Sequence, residues 1–228
     1  KIIYKFKKKY SIDNDSFSKK NLDYLFHYYG SDKSNIFKIN NSLGHGFSLL
    51  YENHLRNLIG RNINILEIGS FAGASAAAFV KYFQNANIFC FDVNISNFKY
   101  KSKNIHVFGI DINDEKKINK ILESIFLQYN FDGFDFIIDD GSHTLSDILI
   151  GLKFFFQYVK SNGIYIIEDF KHPNYYTNNK NINHIFIDKL LDNLQNKKIS
   201  ISSVLTKNNQ IDEPQRSRRS ERKNRILN

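Results

Sequence analysis

Five short apolar runs constrain this chain more than any other feature. They are INILEIG (63–69), NIFCFDV (87–93), IHVFGID (105–111), FDFIIDD (134–140) and GIYIIED (163–169). Each is rich in β-branched or aromatic residues, continuous rather than alternating, and has an acid or a glycine as its last or next-to-last residue. A strand with one face in water alternates apolar and polar residues. A run that is apolar throughout suits a strand buried on both faces, as in a parallel sheet covered by helices. Between the runs lie GASAAAFVKYF, DEKKINKILESIFLQY and TLSDILIGLKFFFQYV. The last two open on a capping residue, Asp114 and either Thr144 or Ser146, and carry apolar residues at three- and four-residue spacing. This alternation predicts an α/β fold with a doubly wound, mostly parallel, Rossmann-like sheet.

The flanks read differently. Ahead of the first run, NLDYLFHYYG and SLLYENHLRNLIG are expected to be helices joined by the loop SDKSNIFKINNSLGHG. Beyond the fifth run, INHIFIDKLLDNLQN reads as a helix and KISISSVLT as a sixth strand. The expected organisation is a basic N-terminal segment over 1–20, a helical cap over 21–62, the Rossmann-like domain over 63–207, and a basic tail without a packed core over 208–228.

Net charge is +9, but it is concentrated at the ends. Residues 1–10 hold five lysines and no acid; residues 216–228 hold five arginines and a lysine against one glutamate. Each end therefore carries +5, leaving about −1 for the body. This distribution predicts solvated tails and no nucleic-acid partner. No apolar run approaches the roughly 20 residues of a membrane helix, so no membrane span is expected. The single cysteine, Cys90, lies within an apolar run and reads as a core residue in a reducing, cytoplasmic setting.

In open α/β sheets, ligands bind beyond the carboxyl ends of the strands. Those ends hold Glu67, Asp92, Asp111, Asp139, Asp140, Glu168 and Asp169. Turns would be served equally by asparagine, which is abundant elsewhere in the chain, so carboxylates at every strand end favour a site. The first run leads into LEIGSFAGAS, where Gly69, Ser70 and Gly73 let the backbone turn tightly near a ligand. The dinucleotide pattern G-x-G-x-x-G is absent. Glu67 would repel a pyrophosphate and suit a cationic ligand. Asp92 stands where such sheets grip a ribose diol, and Asp111 where a carboxylate can accept from an adenine amino group. The stretch DDGSH, with His143 three residues after Asp140, leaves two readings open: a turn that caps a strand, or a cation held beside a base.

ILEIGSFAGAS, CFDVN and FGIDIND resemble the first three cofactor motifs of class I S-adenosylmethionine-dependent methyltransferases. YGSDKS, HGFSLLYE, IIDDGSH and IIEDF narrow the resemblance, which spans roughly residues 25–205, to metal-dependent sugar O-methyltransferases of the macrocin and mycinamicin type, grouped with cephalosporin-hydroxylase-like proteins. The resemblance implies S-adenosylmethionine and Mg²⁺ or another divalent cation as cofactors, and a sugar-containing small molecule as acceptor. It implies Asp140, Glu168 and Asp169 as metal ligands and His143 as the base, with Asp140 counted as catalytic through the metal. Asp139 could replace Asp140 as ligand, or stand with Glu67, Gly69, Ser70, Gly73, Asp92 and Asp111 on the cofactor side. HGFSLLYE corresponds to a segment that folds over the cofactor as a lid, making His45, Tyr51 and Glu52 candidates. Three clustered carboxylates would repel one another strongly, and a hard cation removes that repulsion. The alternatives are a methyltransferase for catechol-like acceptors, an NAD-dependent oxidoreductase, disfavoured by Glu67 and the missing glycine, and a non-catalytic methyltransferase-like partner protein. Methyltransferases of this class usually end in a sixth and an antiparallel seventh strand. Only ISISSV is a candidate here, and an unpaired sheet edge would favour a homo-oligomer.

Overall fold

The computed structural model describes residues 9–17 and 21–170. In chain order these form β1 (Tyr10–Ser11), α1 (Leu22–Tyr29), β2 (Ile36–Phe37), β3 (Ser42–Leu43), α2 (Ser48–Leu55), β4 (Ile63–Ile68) and α3 (Ala74–Phe83). There follow β5 (Ala86–Asp92), β6 (Tyr100–Lys101), β7 (Ile105–Gly109), α4 (Glu115–Tyr129), β8 (Phe134–Asp139), α5 (Leu145–Phe155) and β9 (Val159–Ile167). Strands β7-β5-β4-β8-β9 form one sheet in that order, every pair parallel. The five apolar runs thus supply the five strands of the sheet. Its first strand in sequence, β4, lies at the centre, where strand order reverses and a ligand crevice opens.

Both faces of the sheet are covered, which is why the runs place apolar residues on both faces. Ile65, Ile88, Phe136 and Ile138 pack with Phe26 of α1, Tyr51 of α2 and Phe79 of α3. Leu66, Phe89, Phe91 and Ile137 pack with Ile118 and Leu122 of α4 and Phe155 of α5 on the opposite face. The caps are those the sequence indicates. Asp114 accepts from the Lys117 amide and Thr144 from the Asp147 amide, each satisfying a backbone donor that the first helical turn leaves open. Asn21 does the same for α1, which ends at Gly30 in the left-handed conformation.

Register aligns the strand ends that carry the acids. Ile68 lies opposite Phe91 on one side and Asp139 on the other. The Gly69 amide donates to the Phe91 carbonyl (2.8 Å), Asp140 to Ile68 (2.9 Å) and Glu168 to Asp139 (2.9 Å). Asp92, Asp140 and Glu168 are thereby brought to one rim, with Glu67 buried one residue inside the end of β4.

Three boundaries differ from the sequence reading. The loop between α1 and α2 contains a small antiparallel hairpin, β2–β3. Residues 10–12 are not set apart from the body: β1 pairs with β6, and Ile12 is buried in the core. Strand β9 starts at Val159, four residues before the apolar run, because Lys160, Ser161 and Asn162 lie at a half-exposed, bulged edge. The expected sixth strand, the helix before it, the missing seventh strand and the basic tail fall outside the described residues. Among the described residues, no helix is long and apolar enough to cross a membrane.

Candidate active site

A cavity of about 850 Å³ opens at the carboxyl ends of β4, β5 and β8. The loop Gly69–Ala72, Asp92 and Asp111 form one wall; Asp140, His143 and Asp169 form another; Lys33 and His45 come from the helical cap. Strand-end residues expected at a ligand are therefore brought to one space, with the cap closing over it.

Gly69 has φ +83°, and a Cβ there would lie 2.0 Å from the Asp140 carbonyl oxygen. The ends of β4 and β8 touch backbone to backbone, leaving no room for a side chain. Gly73, with φ +74°, precedes α3 beneath the Phe98 ring. Between them Phe71 also has positive φ (+42°) with its side chain 67% exposed at the cavity, a conformation that costs free energy unless surrounding structure enforces it. One enforcing contact is Asp92, whose Oδ2 accepts from the Phe71 amide (2.7 Å) while Oδ1 accepts from Asn94 (2.7 Å). Asp92 is thus pinned at the second strand end. Asp111 accepts from the Asn113 amide and side chain, which holds its carboxyl below the usual range.

Glu67 does not line the cavity. It is fully buried beneath it, accepts from Ser75 Oγ through Oε1, and among the described residues has no hydrogen-bond partner for Oε2. Burial, only partly offset by the Lys33 ammonium and the Ser75 hydroxyl, pushes its carboxyl up to about 7. Gly73 and Tyr51 likewise lie behind the cavity wall.

The adjacent aspartates point in different directions, as successive residues leaving a strand do. Asp139 faces α5: it accepts from Tyr165 Oη (3.3 Å) and the Gly141 amide (3.4 Å), and a Cβ on Gly151 would meet its Oδ2 at 2.7 Å. Burial raises its carboxyl to about 6. Asp139 therefore touches neither the cavity nor the other acids' ligand space. Asp140 faces the cavity. Its Oδ1 lies 3.8 Å from His143 Nε2, which lies 3.9 Å from Asp169 Oδ2. Ligand atoms of Asp140, His143 and Asp169 all fall within 4.8 Å of one another. His143 precedes the Thr144 cap rather than beginning the helix, and both it (φ +57°) and Asp169 (φ +52°) hold the left-handed conformation. Strained non-glycine residues facing one cavity are a mark of function.

Glu168 is placed otherwise than expected for a metal ligand. It is buried; Oε2 accepts from Lys33 Nζ (2.6 Å), and Oε1 from Tyr51 Oη. Lys33 also donates to Asp140 Oδ2 (2.5 Å). Among the described residues, the acids that cluster with His143 are Asp140 and Asp169, while Glu168 is engaged by Lys33 and Tyr51 of the cap. Tyr51 donates to Glu168 and does not line the cavity, and Glu52 accepts from the Leu22 amide as a helix support (2.6 Å). His45 does line the cavity. Sequence reasoning assigned no role to Lys33 or Phe71. The signal available for Lys33 was its place in YGSDKS, one of the quoted motifs.

No family model matches the chain. Over 132 residues it is 26% identical to a mycinamicin VI 2''-O-methyltransferase of Micromonospora griseorubida, covering 55% of this chain and 31% of that protein. A demethylmacrocin O-methyltransferase of Streptomyces fradiae is likewise 26% identical over 132 residues, covering 55% and 32%. The chain thus spans about a third of the length of the curated relatives it matches. Among solved structures it resembles MycE methyltransferase in complex with Mg and SAH, with TM-score 0.61 and 22% identity over 79% of this chain and 50% of that one. A MycE complex that also holds mycinamycin VI gives TM-score 0.55 and 24% identity, covering 66% and 39%. The fold is that of a class I methyltransferase. Its sequence relatives are sugar O-methyltransferases of the macrocin and mycinamicin type, as the motif resemblance implies.

Proposed function

We propose that the chain is an S-adenosylmethionine- and divalent-metal-dependent O-methyltransferase acting on a hydroxyl of a sugar-containing small molecule. The observation that carries this reading is the cluster of Asp140, His143 and Asp169 in a cavity whose facing wall is the Gly69–Ala72 loop and Asp92. A methyl donor held on the loop side would present its reactive end to the cluster side. The relatives support the choice of acceptor: one is named a 2''-O-methyltransferase of mycinamicin VI, and another a 2'-O-methyltransferase of a rhamnosyl tetracenomycin.

The donor set fits a hard cation. Asp140 Oδ1 and Asp169 Oδ2 are carboxylate oxygens within reach of a single ion, the ligand chemistry of Mg²⁺, which keeps several water or substrate oxygens. Such an ion lowers the pKa of a bound hydroxyl. His143, 36% exposed in its side chain, is available to the cavity to take the hydroxyl proton through Nε2. Asp92 would grip the ribose diol, and Asp111 would accept from an adenine amino group. Gly69 keeps the two strand ends close enough for cofactor and acceptor to meet in line. Glu67 presents no charge to the cavity directly; it forms the acidic floor under the loop. A cytoplasmic setting, supported by buried Cys90, and self-association complete the reading.

Electron paramagnetic resonance of Mn²⁺ titrated into the protein tests the metal site. One bound ion is expected, lost in both Asp140→Asn and Asp169→Asn. Undiminished Mn²⁺ binding by these variants would remove the metal from the reading.

A further inference from the structure

We propose that Lys33 is the resident cation of this carboxylate site: it holds Asp140 and Glu168 together and docks the helical cap onto the sheet. The proposal rests on the metal-dependent reading above and assigns a positioning role to a residue of the cap.

The side chain of Lys33 is 2% exposed, and its ammonium lies 2.5 Å from Asp140 Oδ2 and 2.6 Å from Glu168 Oε2. An ammonium loses far more on leaving water than packing of its stem returns, so such burial persists only with close counter-charges. Here there are two. They come from the ends of two adjacent strands, 107 and 135 residues away in sequence. Conversely, Glu168 is buried and would be an uncompensated charge without Lys33. Tyr51 satisfies its other oxygen but contributes no positive charge.

The backbone around Lys33 is fixed independently of its ion pairs. Its carbonyl accepts from the Phe47 amide (2.9 Å), Asp32 from His45 (2.6 Å) and Ser34 from Gly46 (3.2 Å). The ammonium is therefore delivered by a zipped loop rather than a mobile one. Lys33 divides the two oxygens of Asp140: Oδ2 goes to the ammonium, and Oδ1 faces His143. The electrostatic consequence is that the acids stay assembled before a metal arrives, because one positive charge already offsets the repulsion between Asp140 and Glu168. Both neighbouring carboxylates oppose the cost of burial and keep the lysine charged.

Thermal unfolding of the full chain in EDTA and in millimolar Mn²⁺ tests this. Lys33→Met keeps the length and apolar stem but removes the charge. Its melting temperature in EDTA is expected to fall by about 10 °C, the size expected when one partner of a buried pair is removed. Mn²⁺ should raise it by at least about twice the rise seen in wild type, because the ion then offsets charge that Lys33 otherwise offsets. The double variant Lys33→Met/Glu168→Gln, which removes both charges, should melt above Lys33→Met in EDTA. Equal losses for Lys33→Met with and without Mn²⁺ would show that the ion does not replace the charge of Lys33 and would overturn the proposal. So would a double variant no more stable than the single one, or one that fails to fold when the single does. Failure of the methyltransferase reading would instead show as absence of S-adenosylhomocysteine binding by wild type.

Discussion

Replacing Glu67 with Gln isolates the cost of the buried carboxylate beneath the cofactor loop. Glutamine keeps the shape and leaves an oxygen to accept from Ser75, but it cannot ionise. Burial, partly offset by Lys33 and Ser75, lifts the Glu67 carboxyl from its ordinary value near 4.5 to about 7. The folded protein therefore holds this proton more tightly than the unfolded chain. Between pH 4.5 and 7 the native state binds more protons, so this group's contribution to stability falls as pH rises. Below pH 4.5 the group is neutral in both states and costs nothing. Above pH 7 it is ionised in both, and the full penalty is present. A displacement of this size corresponds to about 3 kcal/mol. Glu67→Gln should accordingly match wild type near pH 4.5 and exceed it by up to about 3 kcal/mol at pH 8. Urea unfolding followed by far-ultraviolet circular dichroism is the suitable assay, since the chain contains no tryptophan. Taking the difference between the two proteins cancels the titration of all other groups that the substitution leaves unaltered. Stability curves that run parallel from pH 4.5 to 8 would refute this account of Glu67.

His143→Ala should retain Mn²⁺ and cofactor binding yet lose roughly 10²–10⁴-fold in methyl transfer to a glycoside that supports wild-type turnover, the range for a general base; full activity would return IIDDGSH to a turn. Gly69→Ala should abolish cofactor binding in calorimetry, because its Cβ would lie 2.0 Å from the Asp140 carbonyl oxygen at φ +83°. Wild-type affinity in that variant would show that the two strand ends can separate freely.

The sheet was legible because its evidence is local. Ile63–Ile68 and Phe134–Asp139 are each apolar at four of six positions, with apolar residues on both faces whatever the rest of the chain does, which suits a strand covered on both sides. Caps such as Asp114 and Thr144 act within three residues and were equally readable. The division of labour among the acids was not. Asp139 and Asp140 are adjacent, and which one enters the cavity depends on how the strand end meets α5. Whether Glu168 faces a metal or the cap depends on Lys33 and Tyr51, which lie 135 and 117 residues away. The start of β9 was hidden because Lys160, Ser161 and Asn162, partly exposed and beside a register shift, carry no strand signal. The burial of Ile12 was masked by the lysines that precede it.

The most direct test of the central claim is calorimetric titration of the metal-free protein with S-adenosylhomocysteine and, separately, with NAD. The Gly69–Ala72 loop, Asp92 and Asp111 should bind S-adenosylhomocysteine with micromolar affinity in EDTA and give no heat with NAD. Binding of NAD with no response to S-adenosylhomocysteine would contradict the account.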